Sequence, residues 1–388
     1  MDIQSKAKNL IEMIQMAPVE WKPLGKVASI GKGKQLNKSL LREKDKYPVI
    51  NGGINPSGYW HEYNNEAGTI VISQGGASAG FVNWMDIPFF AGAHAYTIKA
   101  NEDKLLQRFA YYFLKMKQIT FMQCQYGAGI PALAKSELQN LLIPIPPLET
   151  QQKIVKILDK FTELEATLEA ELALRKRQYQ YYRDFLLDFD NQIGGGIADG
   201  YKGRLKDVVW KTLGEVCENL DSMRKPITSN FRKAGNIPYY GASGIVDYVE
   251  DFILDGDYLL VSEDGANLLA RKTPIAFSVS GKFWVNNHAH ILKFRTYAER
   301  RFIEFYLNNI DISMYISGAA QPKLNKQNLN KIRIPIPPLP EQEKIVAILD
   351  KFDTLTHSIS EGLPHEIALR RKQYEYYREQ LLAFPKAA

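Results

Sequence analysis

Apolar residues recur at helical spacing in two segments of the chain. In the first segment they step by three or four residues, at Ile154, Leu158, Phe161, Leu164, Leu168 and Leu172. The second segment has the same pattern at Ile345, Leu349, Phe352, Leu355 and Ile359. An apolar stripe at this period predicts an amphipathic helix. The first helix should run from about Glu149 to Asp188, a length on the order of 60 Å.

Shorter apolar runs bounded by Gly, Asn and Asp predict strands in the remaining regions. Examples are residues 69–72, 95–98 and 258–261. Residues 108–114 and 301–307 are predicted to be two corresponding short helices. These regions are therefore predicted to be mixed, mostly β domains. The stretch Asp190–Gly203 has five glycines and no apolar period, which predicts a linker.

The chain contains an internal repeat of about 190 residues. Residues 143–148, Ile-Pro-Ile-Pro-Pro-Leu, return at 334–339, and residues 157–161, Ile-Leu-Asp-Lys-Phe, return at 348–352. A period this long indicates duplicated domains rather than a solenoid. The helical segments after the Pro-Pro motifs match closely, whereas the preceding segments of about 130 residues match only at scattered points. This unevenness indicates a constant scaffold that carries two different working surfaces.

Two such helices can bury their apolar stripes against each other, and an antiparallel pair gives a direct repeat a pseudo-twofold axis. The predicted fold class is therefore α+β, with two divergent mixed α/β domains joined by two long antiparallel α-helices with pseudo-twofold symmetry. We expect the first helix to be continuous and the second to be broken near Gly362–Pro364, because Gly and Pro are the two worst helix formers. A helix around Lys8–Gln15 should pack near Leu381.

The same features predict the domain boundaries. The predicted parts are an N-terminal helix at 1–16, a first divergent domain at 17–147, a central helix at 148–190, a linker at 191–203, a second divergent domain at 204–338 and a C-terminal helical region at 339–388.

The net charge of +6 lies in the two divergent domains. Residues 17–147 hold 14 Lys and Arg against 9 Asp and Glu, and residues 200–338 hold 19 against 14. Domains that each carry a charge of +5 suit a polyanion such as nucleic acid. Ordinary variation in composition also produces a charge of this size.

The sequence shows no motif of a catalytic, cofactor or metal site. Gly31–Lys34 lacks the spacing of a phosphate-binding loop, and the six histidines do not cluster with Cys or carboxylates at metal-ligand spacing. Cys124 and Cys217 lie far apart, which argues against a disulfide framework and fits a reducing cytosol. Without a signal peptide or an apolar run of roughly 18 residues, the chain is expected to be cytoplasmic.

Two pairs of matched polar loops are candidates for contact with DNA. The loops 73–78 and 262–267 follow predicted strands, and the loops 126–129 and 317–321 form the second pair. Amide side chains can pair with adenine, and Arg and Lys can reach guanine or phosphate. The candidate DNA-binding residues are Lys32, Lys34, Gln35, Gln74, Ser78, His94, Tyr126, Arg224, Lys225, Tyr240, Asn267, Arg271, Lys272, His288, Gln321 and Lys323. The ordinary alternative for a single loop residue is a surface turn, and for either histidine a structural hydrogen bond.

The tyrosine-rich ends of the two scaffold helices are candidates for contact with partner proteins. The candidate residues are Tyr179, Tyr182, Arg183, Tyr374, Tyr377 and Arg378. On a scaffold helix, packing against another helix is the alternative, and both explanations fit better than base stacking.

The whole pattern resembles the specificity subunits of type I restriction–modification systems. The resemblance rests on Ile-Pro-Ile-Pro-Pro-Leu before each helix, Lys-Ile-Val-x-Ile-Leu-Asp-Lys-Phe at its start and Gln-Tyr-x-Tyr-Tyr-Arg near its end. It covers essentially the whole chain. Residues 162–173 form three imperfect tetrapeptides, similar to the subclass with tetrapeptide repeats in the central helix.

The resemblance implies that each divergent domain is a target-recognition domain that reads one half of a bipartite DNA site. The helices would hold the two halves at a fixed separation and dock two methyltransferase (M) subunits, which restriction (R) subunits then join. The partners would use S-adenosylmethionine, ATP and Mg, and this chain would bind none of them and catalyse nothing. The alternatives are a stand-alone DNA methyltransferase or nuclease, and a coiled-coil interaction protein that does not bind DNA.

Overall fold

A computed structural model of the chain describes residues 3–16, 19–123, 132–189, 207–318 and 320–385. The chain divides into two compact units. Unit 1 comprises Met1–Ala170 and Glu366–Ala388, and unit 2 comprises Glu171–His365. The whole predicted linker, residues 191–203, lies outside the described residues. The domain boundaries predicted from the sequence stay predictions.

Unit 1 combines short helices with three small sheets. Its helices and strands are, in chain order, α1 (Ile3–Met16), β1 (Glu20–Pro23), α2 (Leu24–Val27), β2 (Ala28–Lys32), β3 (Tyr47–Ile50), β4 (Gly58–Trp60), β5 (Thr69–Ser73), β6 (Val82–Met85), β7 (Phe90–Ala91), β8 (Ala95–Ala100), α3 (Gln107–Met116), α4 (Gln118–Gln123), α5 (Lys135–Asn140), β9 (Leu142–Ile145) and the start of α6 (Leu148–Leu187).

Unit 2 begins within α6 and repeats this arrangement. Its further elements are β10 (Val209–Thr212), α7 (Leu213–Val216), β11 (Glu218–Asn219), β12 (Ala234–Gly241), β13 (Gly244–Val249), β14 (Leu254–Asp255), β15 (Tyr258–Ser262), α8 (Asn267–Ala270), β16 (Ala276–Val279), β17 (Lys282–Val285), β18 (Ala289–Lys293), α9 (Tyr297–Asn309), α10 (Lys326–Lys331), β19 (Arg333–Ile336), α11 (Leu339–His357) and the start of α12 (Leu363–Leu381). The rest of α12 belongs to unit 1.

The described strands form corresponding sheets in the two units. A two-stranded antiparallel sheet joins β1 to β9 in unit 1 and β10 to β19 in unit 2. A four-stranded antiparallel sheet has the order β2-β8-β5-β6 in unit 1 and β11-β18-β15-β16 in unit 2. A further sheet contains β4-β3-β7 or β13-β12-β17-β14, with one parallel pair in each. This mixed α/β architecture confirms the predicted class at that level.

The central strands β5 and β15 are buried on both faces along their whole length, and their middle residues are apolar. Every residue of Thr69–Ser73 is buried. Ile70 and Ile72 belong to the main core of unit 1, whereas Val71 points to a second cluster with Ile50. Successive residues of a strand point to opposite faces, so a strand between two apolar layers shows no polar alternation.

Helix α6 pairs antiparallel with its neighbour inside each unit. In unit 1, the rings of Phe161 and Tyr377 stack with their centres 5.2 Å apart. Further along the helix, Glu165 Oε1 forms an ion pair with Arg371 Nε over 2.5 Å. In unit 2, the corresponding pair is Tyr182 on Phe352, at 5.4 Å. The repeated residues therefore make repeated contacts.

The predicted helix continuity is confirmed. Helix α6 is unbroken over Leu148–Leu187, whereas α11 ends at His357 and α12 begins at Leu363. Gly362 in the break lies so close to the backbone carbonyl of Thr354 that a β-carbon at this position would collide with it. Glycine therefore permits the chain to fold back against the last turn of α11.

The N-terminal helix lies in the same core as the last described residues, as predicted. Ala7, Leu10 and Ile14 of α1 share the main core of unit 1 with Leu381. The Trp21 indole N–H donates to the Pro385 carbonyl over 2.9 Å. Within the described ranges, none of the helices combines the length and apolar character that a membrane span requires.

Candidate nucleic-acid interface

Backbone hydrogen bonds join two loop segments at the end of the central strand in each unit. In unit 1 the Leu133 N–H donates to the Gln74 carbonyl over 2.7 Å. In unit 2 the Leu324 N–H donates to the Glu263 carbonyl over the same distance. These segments bring together the two pairs of loops that the sequence singled out. The second loop of unit 1 is described only from residue 132 onward, so Tyr126 lies outside the described residues.

A third segment, which carries a histidine, is attached to each pair. The Gln74 N–H donates to the His94 carbonyl, and the Glu263 N–H donates to the His288 carbonyl, both over 2.8 Å. We name the three-segment assemblies the loop clusters. Loop cluster 1 comprises residues 74–80, 92–94 and 132–134, and loop cluster 2 comprises residues 263–266, 286–288, 317–318 and 320–324.

The histidine segments are fixed through asparagines that come from different strands. His94 donates its backbone N–H to Asn51 Oδ1 over 3.1 Å, and Asn51 follows β3. His288 donates its N–H to Asn286 Oδ1 over 2.8 Å, and Asn286 follows β17. A glycine occupies the position opposite each asparagine, since a β-carbon on Gly92 would contact Asn51 and one on Gly241 would contact Asn286. The same backbone arrangement is therefore held by an asparagine in both units, although the asparagine follows a different strand in each.

Glycine sets the turn in both clusters. Gly76 has a φ of +80° and Gly265 a φ of +107°. Residues with a β-carbon rarely adopt this conformation, whereas glycine adopts it freely. The two clusters therefore share their turn, although the residues around it differ.

A buried side chain supports the second loop from beneath in each unit, and its identity differs. The Tyr96 hydroxyl donates to the Leu133 carbonyl over 3.2 Å in unit 1. At the corresponding place in unit 2, His290 Nε2 lies 2.7 Å from the Leu324 carbonyl. The other ring nitrogen of His290 lies 2.6 Å from Asp221 Oδ2. A carbonyl and a carboxylate both accept, so this geometry suits an imidazolium with protons on both nitrogens.

Five charged side chains form a network beneath loop cluster 2. Arg224 contacts Glu263 and lies 3.6 Å from Asp221, while Lys323 lies 3.1 Å from Glu263. Burial alone would raise the pKa of the Asp221 carboxyl, but the hydrogen bond from His290 and the positive charges lower this pKa below its usual range. Burial would also raise the pKa of the Glu263 carboxyl, but the hydrogen bonds from Arg224 and Lys323 lower it, and this pKa too lies below its usual range. Both carboxylates are therefore stabilised in their charged form.

This network corrects the expectation that the histidines do not meet carboxylates. The ligand atoms of Asp221, Glu263 and His290 lie within 4.8 Å of one another, a spacing that metal sites also show. Arg224 and Lys323 already place two positive charges on these carboxylates. The geometry therefore describes a buried ion-pair network.

Most of the predicted DNA-binding residues lie at the surface. The exposed ones are Lys32, Lys34, Gln35, His94, Lys225, Lys272, His288, Gln321 and Lys323. The half-buried ones are Gln74, Ser78, Arg224, Tyr240, Asn267 and Arg271. The structure brings Gln74, Ser78 and His94 into loop cluster 1, and His288, Gln321 and Lys323 into loop cluster 2. His288 also pairs with Asp264 over 2.7 Å.

Several half-buried candidates are held by contacts within the protein. The Arg271 guanidinium donates to the carbonyls of Leu307 and Ile310, over 3.2 and 2.9 Å. The Asn267 amide both donates to and accepts from the Thr273 backbone. These contacts give Arg271 and Asn267 structural roles.

Tyr240 also turns toward the protein interior, and one atom of Gln74 is buried. Tyr240 packs on Phe277 and Phe283 at ring distances of 5.9 Å. Gln74 Oε1 is buried, and no group among the described residues donates to it.

The predicted partner-binding tyrosines mostly pack between helices. Tyr377 is only 5% exposed and stacks on Phe161, so the structure gives it a packing role instead of the predicted partner contact. Tyr374 packs against Tyr112, and Tyr179 stacks on Phe352. Tyr182 is the most accessible of these four, at 37%.

The two predicted arginines lie beside these rings and are both half-buried. Arg378 lies over the Tyr374 ring at 5.3 Å. Arg183 pairs with Asp184 over 2.9 Å.

The sequence did not single out Asn51, Asp221, Glu263 or His290 as functional side chains. Asp221 lies 69 positions before His290, so no local spacing joins them.

Comparison with known proteins gives consistent matches. The family model described as "Type I restriction modification DNA specificity domain" matches residues 17–174 and again residues 206–369. A type I restriction enzyme specificity subunit of Escherichia coli is 32% identical over 425 residues, which cover 98% of this chain and 98% of that protein.

Two solved structures share the fold. The crystal structure of a type I restriction–modification S subunit from M. genitalium has a TM-score of 0.67 and 22% identity, and covers 96% of this chain and 98% of that one. A chain from a structure of type I restriction–modification complex assembly and conformational transition has a TM-score of 0.53 and 17% identity, with coverage of 94% and 97%.

Proposed function

Because this chain belongs to the type I restriction–modification DNA specificity family, we propose that each of its two loop clusters reads one half of a bipartite DNA site. The chain is a DNA-recognition subunit and not the catalytic one. The proposal rests on one observation: the two loop clusters share the same backbone hydrogen bonds but carry different side chains. Gln74, Ser78 and His94 present one chemistry, and His288, Gln321 and Lys323 present another.

Exposed cations near the clusters support contact with DNA phosphates. The Lys34 N–H donates to the Ala91 carbonyl, next to the histidine segment of loop cluster 1. The Lys225 N–H donates to the Val285 carbonyl, next to the corresponding segment of loop cluster 2. Both side chains are exposed. Phosphate contacts fix the position of a reader on DNA, and base contacts then specify the sequence.

The proposal includes the finer features that the family resemblance implies. The two units would act as target-recognition domains about a pseudo-twofold axis, with α6 and the α11–α12 pair as the constant scaffold. Two M subunits would dock on this scaffold and bring S-adenosylmethionine, and R subunits would bring ATP and Mg. The imperfect repeats of residues 162–173 support a place in the tetrapeptide-repeat subclass. The complex would act in the cytoplasm.

The test is to co-express the chain with its M subunits in cells that lack such a system, and to map methylated adenines genome-wide. We expect one bipartite, asymmetric motif. The double variant Gln74→Ala with Ser78→Ala should change or relax one half-site and leave the other intact. Lys176→Gln, at an exposed position of α6, serves as the surface control and should leave the motif unchanged. A motif without two separated halves, or equal loss of both halves in the double variant, would contradict the proposal.

A further inference from the structure

An ion pair in unit 1 joins α3, which packs beneath the sheet of loop cluster 1, to the scaffold helix α6. Arg108, in the first turn of α3, donates from Nε to Asp159 Oδ1 of α6 over 2.8 Å. The Tyr112 hydroxyl donates to the same oxygen over 2.5 Å. The guanidinium also lies over the Trp84 ring at 4.5 Å. The aromatic ring and the carboxylate therefore fix both the plane and the direction of the guanidinium.

The corresponding arginine of unit 2 makes the corresponding contact. Arg301 of α9 donates from Nε to Asp350 Oδ1 of α11 over 2.9 Å and from Nη2 to Asp353 over 3.2 Å. The Tyr297 hydroxyl donates to the other oxygen of Asp350 over 2.8 Å. The aspartates are the ones in the repeated Ile-Leu-Asp-Lys-Phe segment. The two ion pairs differ in their aromatic neighbours and in two further carboxylates, Asp353 and Glu304, that also pair with Arg301.

A second contact in unit 1 joins the residues just before α3 to the start of α6. Gln151 of α6 is fully buried; it accepts from the Leu106 N–H over 2.8 Å and donates to the Lys104 carbonyl over 2.9 Å. Gln151 and Asp159 are eight residues apart, a rise of about 12 Å along α6. Two contacts about 12 Å apart along α6 fix the angle between α3 and α6. A single contact would leave this angle free.

The orientation of α3 determines the orientation of loop cluster 1. Phe109 and Phe113 of α3 belong to the same core as Ile72 of β5, the strand that leads into the loop cluster. A packed core transmits a rotation of the helix to the sheet because it deforms little. An arginine–carboxylate pair at a partly exposed place contributes little stability. The planar guanidinium instead restricts the direction from which the carboxylate can bind, so the pair fixes an orientation.

We infer that Arg108–Asp159 and Arg301–Asp350 are positioning pairs that set the angle of each loop cluster on its scaffold helix. This inference rests on the proposed function. Through that angle the pairs select the number of base pairs that separate the two half-sites. They touch no DNA and take no part in base reading.

The experiment measures spacer preference in the assembled complex with M subunits. Methylation is compared on DNA sites that share both half-sites and differ in spacer by one base pair in either direction. We expect Arg108→Gln or Arg301→Gln to reduce the preference for the native spacer about fivefold, with the half-site bases unchanged. The matched control is Arg175→Gln, which removes an ion pair between Arg175 and Glu171 within α6 itself. This control should retain the native preference.

A charge exchange separates positioning from general stability. Arg108→Asp combined with Asp159→Arg should recover most of the spacer preference that either single change loses. A lowered melting temperature with an unaltered spacer preference in both glutamine variants would overturn the inference. If a glutamine variant does not fold, Arg108→Lys replaces it, because it keeps the charge and loses the fork; unchanged selectivity in that variant would also overturn the inference. A wild-type complex that modifies no bipartite site would instead refute the proposed function.

Discussion

At the scale of single residues, the two units differ most in the buried side chains beneath their loops. Tyr96 supports the second loop of unit 1 without a charge, whereas His290 supports that of unit 2 within an ion-pair network. A neutral hydrogen bond depends little on pH, and a buried ion pair depends on the charge of both partners. We therefore expect the two units to respond differently to acid.

Unit 2 should lose stability in acid through Asp221. The pKa of this carboxyl is lowered in the folded state, so its contribution is present above the unfolded pKa of about 3.9 and is lost as the pH falls through the folded value. Asp221→Asn should reduce the free energy of unfolding near neutral pH by about 3 kcal/mol, because it breaks a buried pair with His290. Thermal unfolding across the acid range measures both effects.

The difference between wild type and Asp221→Asn should shrink as the pH falls below about 4. Asp86→Asn, at an exposed position of unit 1, is the control and should change the free energy of unfolding by less than about 0.5 kcal/mol. A difference that stays constant down to the lowest pH would show that the charge of Asp221 does not support the fold.

A second residue-scale prediction concerns Gln151. Gln151→Leu should lower the free energy of unfolding of unit 1 by about 1–3 kcal/mol, because it removes the hydrogen bonds of the buried Gln151 to the Leu106 N–H and to the Lys104 and Pro146 carbonyls. Chemical denaturation with urea measures this loss. Gln180→Leu, on an exposed part of α6, should have little effect. Equal losses in the two variants would mean that the hydrogen bonds of Gln151 are not the cause.

At the scale of elements, the contacts of α6 suit a length change of four residues. Glu165 and Glu169 both pair with Arg371. Deleting residues 162–165 brings Glu169 to the place of Glu165, so Arg371 keeps a partner. The helix shortens by roughly 6 Å and turns only slightly beyond one full turn, so its apolar stripe keeps its face.

We expect the variant without residues 162–165 to fold and to recognise the same half-sites with a spacer changed by one or two base pairs, since DNA rises about 3.4 Å per pair. Methylation-site sequencing of the assembled complex measures the spacer. The control removes only residues 164–165, which turns the following stripe by about 200° and should prevent packing. An unchanged spacer in a folded, active four-residue deletion would rule out the helix as a ruler.

The sequence predicted the helices far better than the loop clusters. A periodic stripe and a Gly–Pro pair are local signals, so the continuity of α6 and the break after His357 were both predictable. Short apolar runs also located β5 and β15. Asp221 follows β11 and His290 lies in β18, and only the pairing of these two strands brings the two residues together. No local pattern marks such a meeting.

At the scale of the whole molecule, the repeat predicts that recognition parts can be exchanged. Replacing residues 17–147 with the matching segment of another family member should change one half-site and leave the other half-site and the spacer intact. The physical reason is that this segment contains loop cluster 1, while Asp159 and the Phe384 ring that packs on Phe109 stay in place. Sequencing of methylated sites checks the outcome.

Donor segments that differ at the position of Arg108 provide a comparison for the exchange. A donor segment that carries arginine at the position of Arg108 should keep the native spacer, and one that lacks it should accept neighbouring spacers as well. A change in both half-sites after the exchange would show that recognition is shared across the chain and not confined to one unit.

The core of unit 1 draws on both α1 and Leu381, whereas unit 2 is one continuous stretch, Glu171–His365. A ribosome makes the chain from the N-terminus and releases domains that usually fold in order of synthesis. Here the order is reversed: unit 2 can complete its core on the nascent chain, while unit 1 must wait for residues made about two hundred positions later. During that interval the apolar faces of α1 and α3 lack the part of their cover that Leu381 and Phe384 supply, so slow or interrupted translation should expose unit 1 to chaperones and proteases, with unit 2 already protected.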